Sequence, residues 1–460
     1  MQWLYCETAK RRCVLFFRNL LCERKDREKM ANTVRSARTM MKPLTAAALH
    51  EMPKFKQRVK AQLPSLRAKD IRRYKLPHSQ IVVLELREDG HVEAAEYFEF
   101  LFRLDENIKT AAGPDTVIWN NPRLKDNEEL VDQLRQVLVS VFDEKLPAET
   151  RTTLTIKMSL RVENSKWEWW WIADTLYRTA LQIAKEIDSN DREIVNSLRF
   201  LYARFLFSKL KKPDLALEHV KMAQKESRGQ PWNASKLLDC RQESLFTESC
   251  VLMHKVLVSI AREERENDAE VAVNSCKVAL DCACESWRKE LVAEAHYELA
   301  ESERAAGNLS GAVEHFFASL GILEEVDDPV GICRVHSKLA STYERIGDGE
   351  KVLEHFRKLK DVASECGLPY KYAEAHYFTG EYHLRRNDPE KATANFQVAF
   401  AVYNRLGAKN DANRARCFLG ISKGQQIMDK YKALIEQSVE GVSDALLKII
   451  LWKDRGEPFD

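Results

Sequence analysis

The chain repeats itself every forty residues, and this limits what it can fold into more than any other feature. Ala300, Ala340, Gly380 and Gly420 stand forty apart, with Leu299, Leu339 and Leu419 before three of them. Seven positions on come Gly307, Gly347 and Asn387, followed by Asn308, Asp348 and Asp388. Ala312, Val352 and Ala392 come next, then Phe316, Phe356 and Phe396, then Ser319, Leu359 and Ala399. A unit this short cannot bury its apolar face alone. Copies must stack, so that each covers the next.

Within the unit the spacing is that of a tetratricopeptide repeat. A small residue midway along helix A lets helix B approach closely. Gly or Asn accepts the left-handed conformation that ends helix A. Phe fills the gap between neighbours. The usual period is about 34 residues, so each helix here is longer by most of a turn. The spacing predicts an all-α fold, a right-handed superhelical solenoid of tetratricopeptide-like helix pairs. Packing contacts between helices and repeats are expected at Ala300, Ala340, Gly380, Gly420, Phe316, Phe356 and Phe396. Breaks between repeats are expected at Asp327-Asp328-Pro329, Gly367-Leu368-Pro369 and Lys409-Asn410-Asp411, which read as cap or stop signals.

The phase extends upstream. Asn267-Asp268, Ala272, Cys276 and Ala279 form a degenerate unit, and Ala203, Pro213, Ala216 and Glu218-His219 a weaker one. An insertion, Arg228-Gly229-Gln230-Pro231-Trp232, separates them. The Trp-rich stretch from Trp167 has Ala173, Tyr177 and Ala180 at helix-B spacing, and its indoles are read as packing. Residues 81–110 and 127–145 read as helices joined by a loop around "GPDTVIWNNP". Four regions follow: a basic extension over 1–75, expected to lack a compact fold, a helical region over 76–165, the solenoid over 166–424, and a capping helix or two with a tail over 425–460.

Composition agrees with long helices, since Gly (16) and Pro (13) are scarce. No apolar run reaches the length of a membrane span, and the short "CVLFF" at Cys13–Phe17 is not expected to be a signal peptide. The 11 Cys are scattered without paired spacing, and most, such as Cys276, Cys333 and Cys417, fall at apolar helix positions. They are read as buried reduced thiols. The net charge of +2 is uneven: residues 1–75 hold 20 Lys and Arg against 6 Asp and Glu, leaving an acidic remainder. The charge of that head suits nucleic acid, a microtubule surface or a merely solubilising extension. Nucleic acid is the least favoured of these.

No phosphate loop, nucleophile elbow, zinc-protease or dinucleotide motif is present, so no enzyme activity, cofactor or small-molecule substrate is expected. Glu314-His315-Phe316 returns as Glu354-His355-Phe356. His315 and His355 occupy one repeat position, and His296, His336 and His376 another. Positions related by one repeat lie about 10 Å apart, too far to share a metal whose ligands sit at about 2 Å. Cys282 and Cys284, two apart on a helix, point to different faces. Packing is the expected role of the histidines, and no metal site is expected. In this architecture helix A lines the concave face. Positions six and two before the small residue and one after it give Glu294, Glu298 and Glu301, then Arg334, Lys338 and Ser341, then Glu374 and Glu381. This face is read either as an ordinary charged surface or as a groove for a partly basic helix or strand. Glu301 and Glu381 would repel the acidic peptides that chaperone-binding repeats hold.

Beyond the repeats, "LREDGHVEAAEYFEFL" (Leu86 to Leu101), the insertion at Arg228–Trp232, "EEVDDPVGICRVHSKLASTYERIGDGEKVLEHFRKL" (Glu324 to Leu359) and "LLKIILWKDRGE" (Leu446 to Glu457) resemble the tetratricopeptide repeat proteins of motile cilia and sperm flagella. The resemblance covers about residues 80–455. It implies a non-enzymatic component of the axoneme or of its assembly, with axonemal, dynein-associated or intraflagellar-transport partners. It also implies a place in the cytoplasm and cytoskeleton, at the ciliary or flagellar axoneme. A cytosolic adaptor for a chaperone or a motor complex is the alternative.

Overall fold

The computed structural model describes Arg73 and residues 75–187, 192–238, 240–439 and 443–456. Among these residues the regular elements are helices and there is no strand. No helix among them is long and apolar enough to cross a membrane. The basic stretch before Arg73 lies outside the described residues. The chain divides into two units, Met1–Ile81 and Val82–Asp460. The described part of the first ends in the opening turn of helix α1, His78–Glu88.

After the rest of α1 the second unit continues with α2 (Val92–Ala112), α3 (Glu128–Val141), α4 (Ala148–Glu163) and α5 (Trp170–Ile183). The sequence predicts one helix over 81–110, but the chain breaks it at Gly90, whose φ of +90° only glycine adopts readily. Phe98, Leu101, Leu134, Leu138, Ile156, Ile172 and Tyr177 are buried together in the core of this region. The loop between α2 and α3 is held by a buried carboxylate, Asp105, which accepts from Leu124 N–H at 2.8 Å. Two further helices, α6 (Arg192–Ser208) and α7 (Pro213–Ser227), extend the same core, with Phe205, Ala216 and Val220 fully buried. The Arg228–Trp232 insertion forms the loop that leads on from α7.

From α8 (Leu245–Glu264) onward the structure is regular. Helices α9 (Ala269–Glu285), α11 (Leu309–Val326), α13 (Gly349–Glu365) and α15 (Pro389–Arg405) start forty residues apart. So do α10 (Lys289–Ala305), α12 (Pro329–Ile346), α14 (Pro369–Arg385) and α16 (Lys409–Val439). A helix thus starts every twenty residues, and one device sets each boundary. Trp287, Gly307, Asp327, Gly347, Gly367, Asn387 and Gly407 all have positive φ. After every one of these but Trp287 the next N–H reaches back to close the helix end, as from Asp348 to Tyr343 O (3.0 Å) and from Ala408 to Tyr403 O (3.0 Å). Asp268, Asn308, Asp328, Asp348 and Asp388 then cap the following helix through their side chains. The break expected at Lys409-Asn410-Asp411 falls at Gly407-Ala408 instead, and those three residues open α16.

The chain is therefore an all-α solenoid of tetratricopeptide-like helix pairs. Ala300, Phe316, Ala340 and Phe356 lie in one buried cluster, and Phe396 in the next. A Cβ placed on Gly380 would stand 2.9–3.0 Å from the Phe396 ring, so the small residue sets how closely α14 and α15 approach. Gly420 has open space at the same position. No further turn follows, because Ile427 and Met428 occupy the places where a left-handed residue and a cap would stand. The boundary expected after Gly424 thus lies inside α16, which runs on for 31 residues. It is followed by α17 (Ser443–Arg455), with Trp452 against Tyr431 at 5.5 Å.

Of the cysteines read as buried, Cys276 and Cys333 are, but Cys417 is exposed, because no described helix packs over that face of α16. Cys282 is buried and Cys284 exposed, as their two-residue spacing on a helix requires. The indoles of the stretch from Trp167, read as packing, divide: Trp169 is buried, whereas Trp167 is exposed.

Candidate functional site

Helices α8, α10, α12 and α14 carry a ladder of charges that joins each repeat to the next. Arg262 donates to Glu298 at 2.6 Å and lies 3.3 Å from Glu294. Arg265 also pairs with Glu298, and its Nε donates to Ser302 Oγ at 2.9 Å. Glu301 accepts from Arg304 and from Lys338, each at 3.0 Å. Arg385 grips Glu344 through two bonds of 3.0 and 2.9 Å. Arg334 lies over the Tyr297 ring at 4.1 Å.

The groove residues expected from sequence therefore divide by burial. Glu298 and Glu301 are buried carboxylates whose charges are already matched. Burial pulls the Glu301 pKa upward, but the bonds from Arg304 and Lys338 outweigh it, and the result is a lowered value. Glu294 is partly exposed. The His254 ring, its Nε2 3.9 Å away, and the nearby arginines hold its carboxyl below the usual range, against the pull of burial. Glu374 pairs with Lys371 on its own helix (2.7 Å), and Glu381 accepts from Tyr377 O–H at 2.9 Å. Between α12 and α14 the face opens into a cavity of about 440 Å³ lined by Lys338, Ser341, Glu344, Phe378, Glu381 and Arg385, among others. Its wall is mixed in charge with aromatic surface, not uniformly acidic.

The histidines are arranged in a way that comparing like positions along the chain missed. His296 Nδ1 meets His315 Nδ1 at 3.2 Å, and His336 Nδ1 meets His355 Nδ1 at 3.1 Å. In the third copy His376 Nδ1 meets Asn395 Oδ1 at 2.9 Å. Each contact joins helix A to helix B inside one repeat, nineteen residues apart. One ring of each histidine pair must donate and the other accept, so both rings cannot be charged without losing the bond. Burial and then His355 hold the His336 pKa down at about 4. Burial and then His315 lower that of His296. Among the described residues no three or more His, Cys, Asp or Glu side chains are grouped as metal ligands.

No family model matches the chain, and no curated protein matches it either. Solved structures do. It is similar to a signal-transduction ATPase with a tetratricopeptide repeat sensor from Pyrococcus horikoshii (12% identity, 83% of this chain and 67% of that one, TM-score 0.35). It is also similar to aspartyl phosphate phosphatase F from Bacillus subtilis (11% identity, 83% and 89%, TM-score 0.34). A third similar structure is a Podosopora anserina kinesin light chain with nearly identical TPR-like repeats (14% identity, 48% and 99%, TM-score 0.33). At these scores the likeness carries nothing about function. The fold assignment stands on the chain's own forty-residue geometry.

Proposed function

We propose that this protein is a non-enzymatic interaction scaffold that holds a protein partner in the groove along α10, α12 and α14. The observation that carries this reading is the cavity between α12 and α14, where Phe378 lies among Lys338, Glu344, Glu381 and Arg385. An aromatic surface rimmed by both signs of charge suits a partner segment carrying an apolar side chain and charges of its own. The setting we propose is the axoneme of the motile cilium or sperm flagellum. There the protein supports axoneme assembly or structure, beating and sperm motility. The landmarks at Leu86–Leu101, Arg228–Trp232 and Leu446–Glu457 support this by their resemblance to tetratricopeptide repeat protein 29. Axonemal, dynein-associated or intraflagellar-transport subunits are the proposed partners, and the basic stretch 1–75 adds a contact to the microtubule surface. The test is to tag the full chain in flagellated cells and, separately, to remove its gene. Signal along the flagellum and lost motility without general cell death are expected. A tag confined to the cell body, with normal beating after removal, overturns the axonemal setting and moves the reading to a cytosolic adaptor.

A further inference from the structure

We propose that the cleft formed by α5, α6 and α7 is a second docking site, which takes an acidic side chain of a protein partner with an apolar side chain beside it. Two adjoining cavities, of about 290 and about 370 Å³, share Ala184, Val195, Arg199 and Met222 as walls. Arg199 is half-buried there, and among the described residues it has no hydrogen bond or ion pair. The neighbouring cations are occupied or solvated. Arg192 is paired with Glu226 at 2.7 Å, Arg178 with Asp174 at 2.9 Å, and Lys185 is exposed. Glu218 also lines the cleft, but it is exposed and makes no ion pair with Arg199. A guanidinium withdrawn from water without a partner is costly, and its planar fork matches one carboxylate.

Two further observations point the same way. Asn196 lines the cleft with a fully buried side-chain oxygen that has no partner, while its amide donates to Arg192 O at 3.0 Å. A partner's N–H would satisfy that acceptor. Met222 is 46% exposed and lines the cleft with Leu181 and Val195, an apolar wall that nothing among the described residues covers. His219, on the same wall, reports the local field. Burial first, then Arg199, lower its pKa, Glu218 raises it and Arg178 lowers it again, while Tyr202 lies 4.9 Å from its ring. Among the described residues the lining carries Arg192, Arg199 and Lys185 against Glu218 and Glu226, and this excess of positive charge selects an anionic group. This site is independent of the α10–α14 groove.

The experiment uses the full chain with isotope-labelled histidine, and follows the His219 imidazole by NMR through pH titrations. Three probes are added: N-acetyl-glutamyl-leucinamide, its glutaminyl counterpart, and N-acetyl-leucine. The glutamyl probe is expected to bind and to raise the His219 pKa, and the glutaminyl probe to do neither. Arg199→Gln should weaken glutamyl binding by about tenfold or more, the loss of one charge-assisted bond. Because Arg199 makes no hydrogen bond or ion pair among the described residues, that variant should melt at or above the wild-type temperature. Equal binding of the glutaminyl probe overturns the proposal, as does a lowered melting temperature. Tighter binding of N-acetyl-leucine would identify a chain-end carboxylate as the ligand and equally overturn it. Met222→Ser should weaken the glutamyl probe too, and unchanged binding removes the apolar half of the proposal.

Discussion

Acid should loosen this solenoid in a window set by its histidine pairs, and His336 allows the size to be worked out. Its pKa falls from an ordinary value of 6.5 to about 4, chiefly through burial and then through His355. Lys358 lowers it further, and Glu354 raises it. The folded value lies below the unfolded one, so between the two the unfolded chain binds more protons. The stabilisation is therefore complete above pH 6.5 and is lost as pH falls toward 4. At about pH 5 the loss from His336 alone is about 2 kcal/mol, at 1.36 kcal/mol per unit of separation. His355, His296 and His376 are shifted in the same direction and add to it. Urea unfolding followed by circular dichroism over this range gives the slope for the wild type and for His336→Gln, which can still hydrogen-bond but cannot titrate. The variant should lose about 1.4 kcal/mol per pH unit of slope below pH 6.5. Identical slopes would refute the assignment of a buried, neutral His336.

Ala340→Trp should cost about 3 kcal/mol or more by overpacking the contact with helix B, read as a lowered melting temperature. An unchanged melt would mean that the register is wrong. Asp328→Ala removes a cap that accepts from Val330 N–H and Gly331 N–H at 3.1 and 3.0 Å, and should cost about 1 kcal/mol in chemical unfolding. Trp287→Gly should raise stability by about 1 kcal/mol, because an exposed Trp at φ +59° gains no packing to offset its left-handed backbone. A destabilised Trp287→Gly would show that the indole has a structural contact.

What the sequence made legible follows from which interactions repeat by translation. Ala300, Ala340, Phe316 and Phe356 recur at a fixed interval because each fills the same gap in successive copies, so their spacing exposes the packing. The histidine contacts are invisible to that comparison. His296 and His315 lie at different repeat positions, and they meet only because α10 and α11 fold back on one another. The boundary series from 287 to 407 was half legible. Gly307, Gly347, Asn387 and the breaks at Asp327-Asp328-Pro329 and Gly367-Leu368-Pro369 announce it, but Trp287 hides it, since a Trp does not suggest a positive φ. In the groove, spacing located Glu298 and Glu301 correctly on helix A. It could not show that Arg262, Arg265, Arg304 and Lys338 reach across to neutralise them, because those partners come from the same or adjoining helices at no constant interval. The cleft at Arg199 left no pattern at all, being a meeting of three helices from the least regular repeats.

The claim that matters most is that the α12–α14 groove holds a protein partner. Its most direct measurement is affinity purification, from flagellated cells, of the full chain and of a Ser341→Trp, Glu381→Lys variant. These changes block and recharge the cavity while leaving the ion pairs of Glu298, Glu301 and Glu344 intact. A discrete set of axonemal proteins is expected with the wild type and is lost with the variant, at an unchanged melting temperature. The same set recovered with both proteins would contradict it.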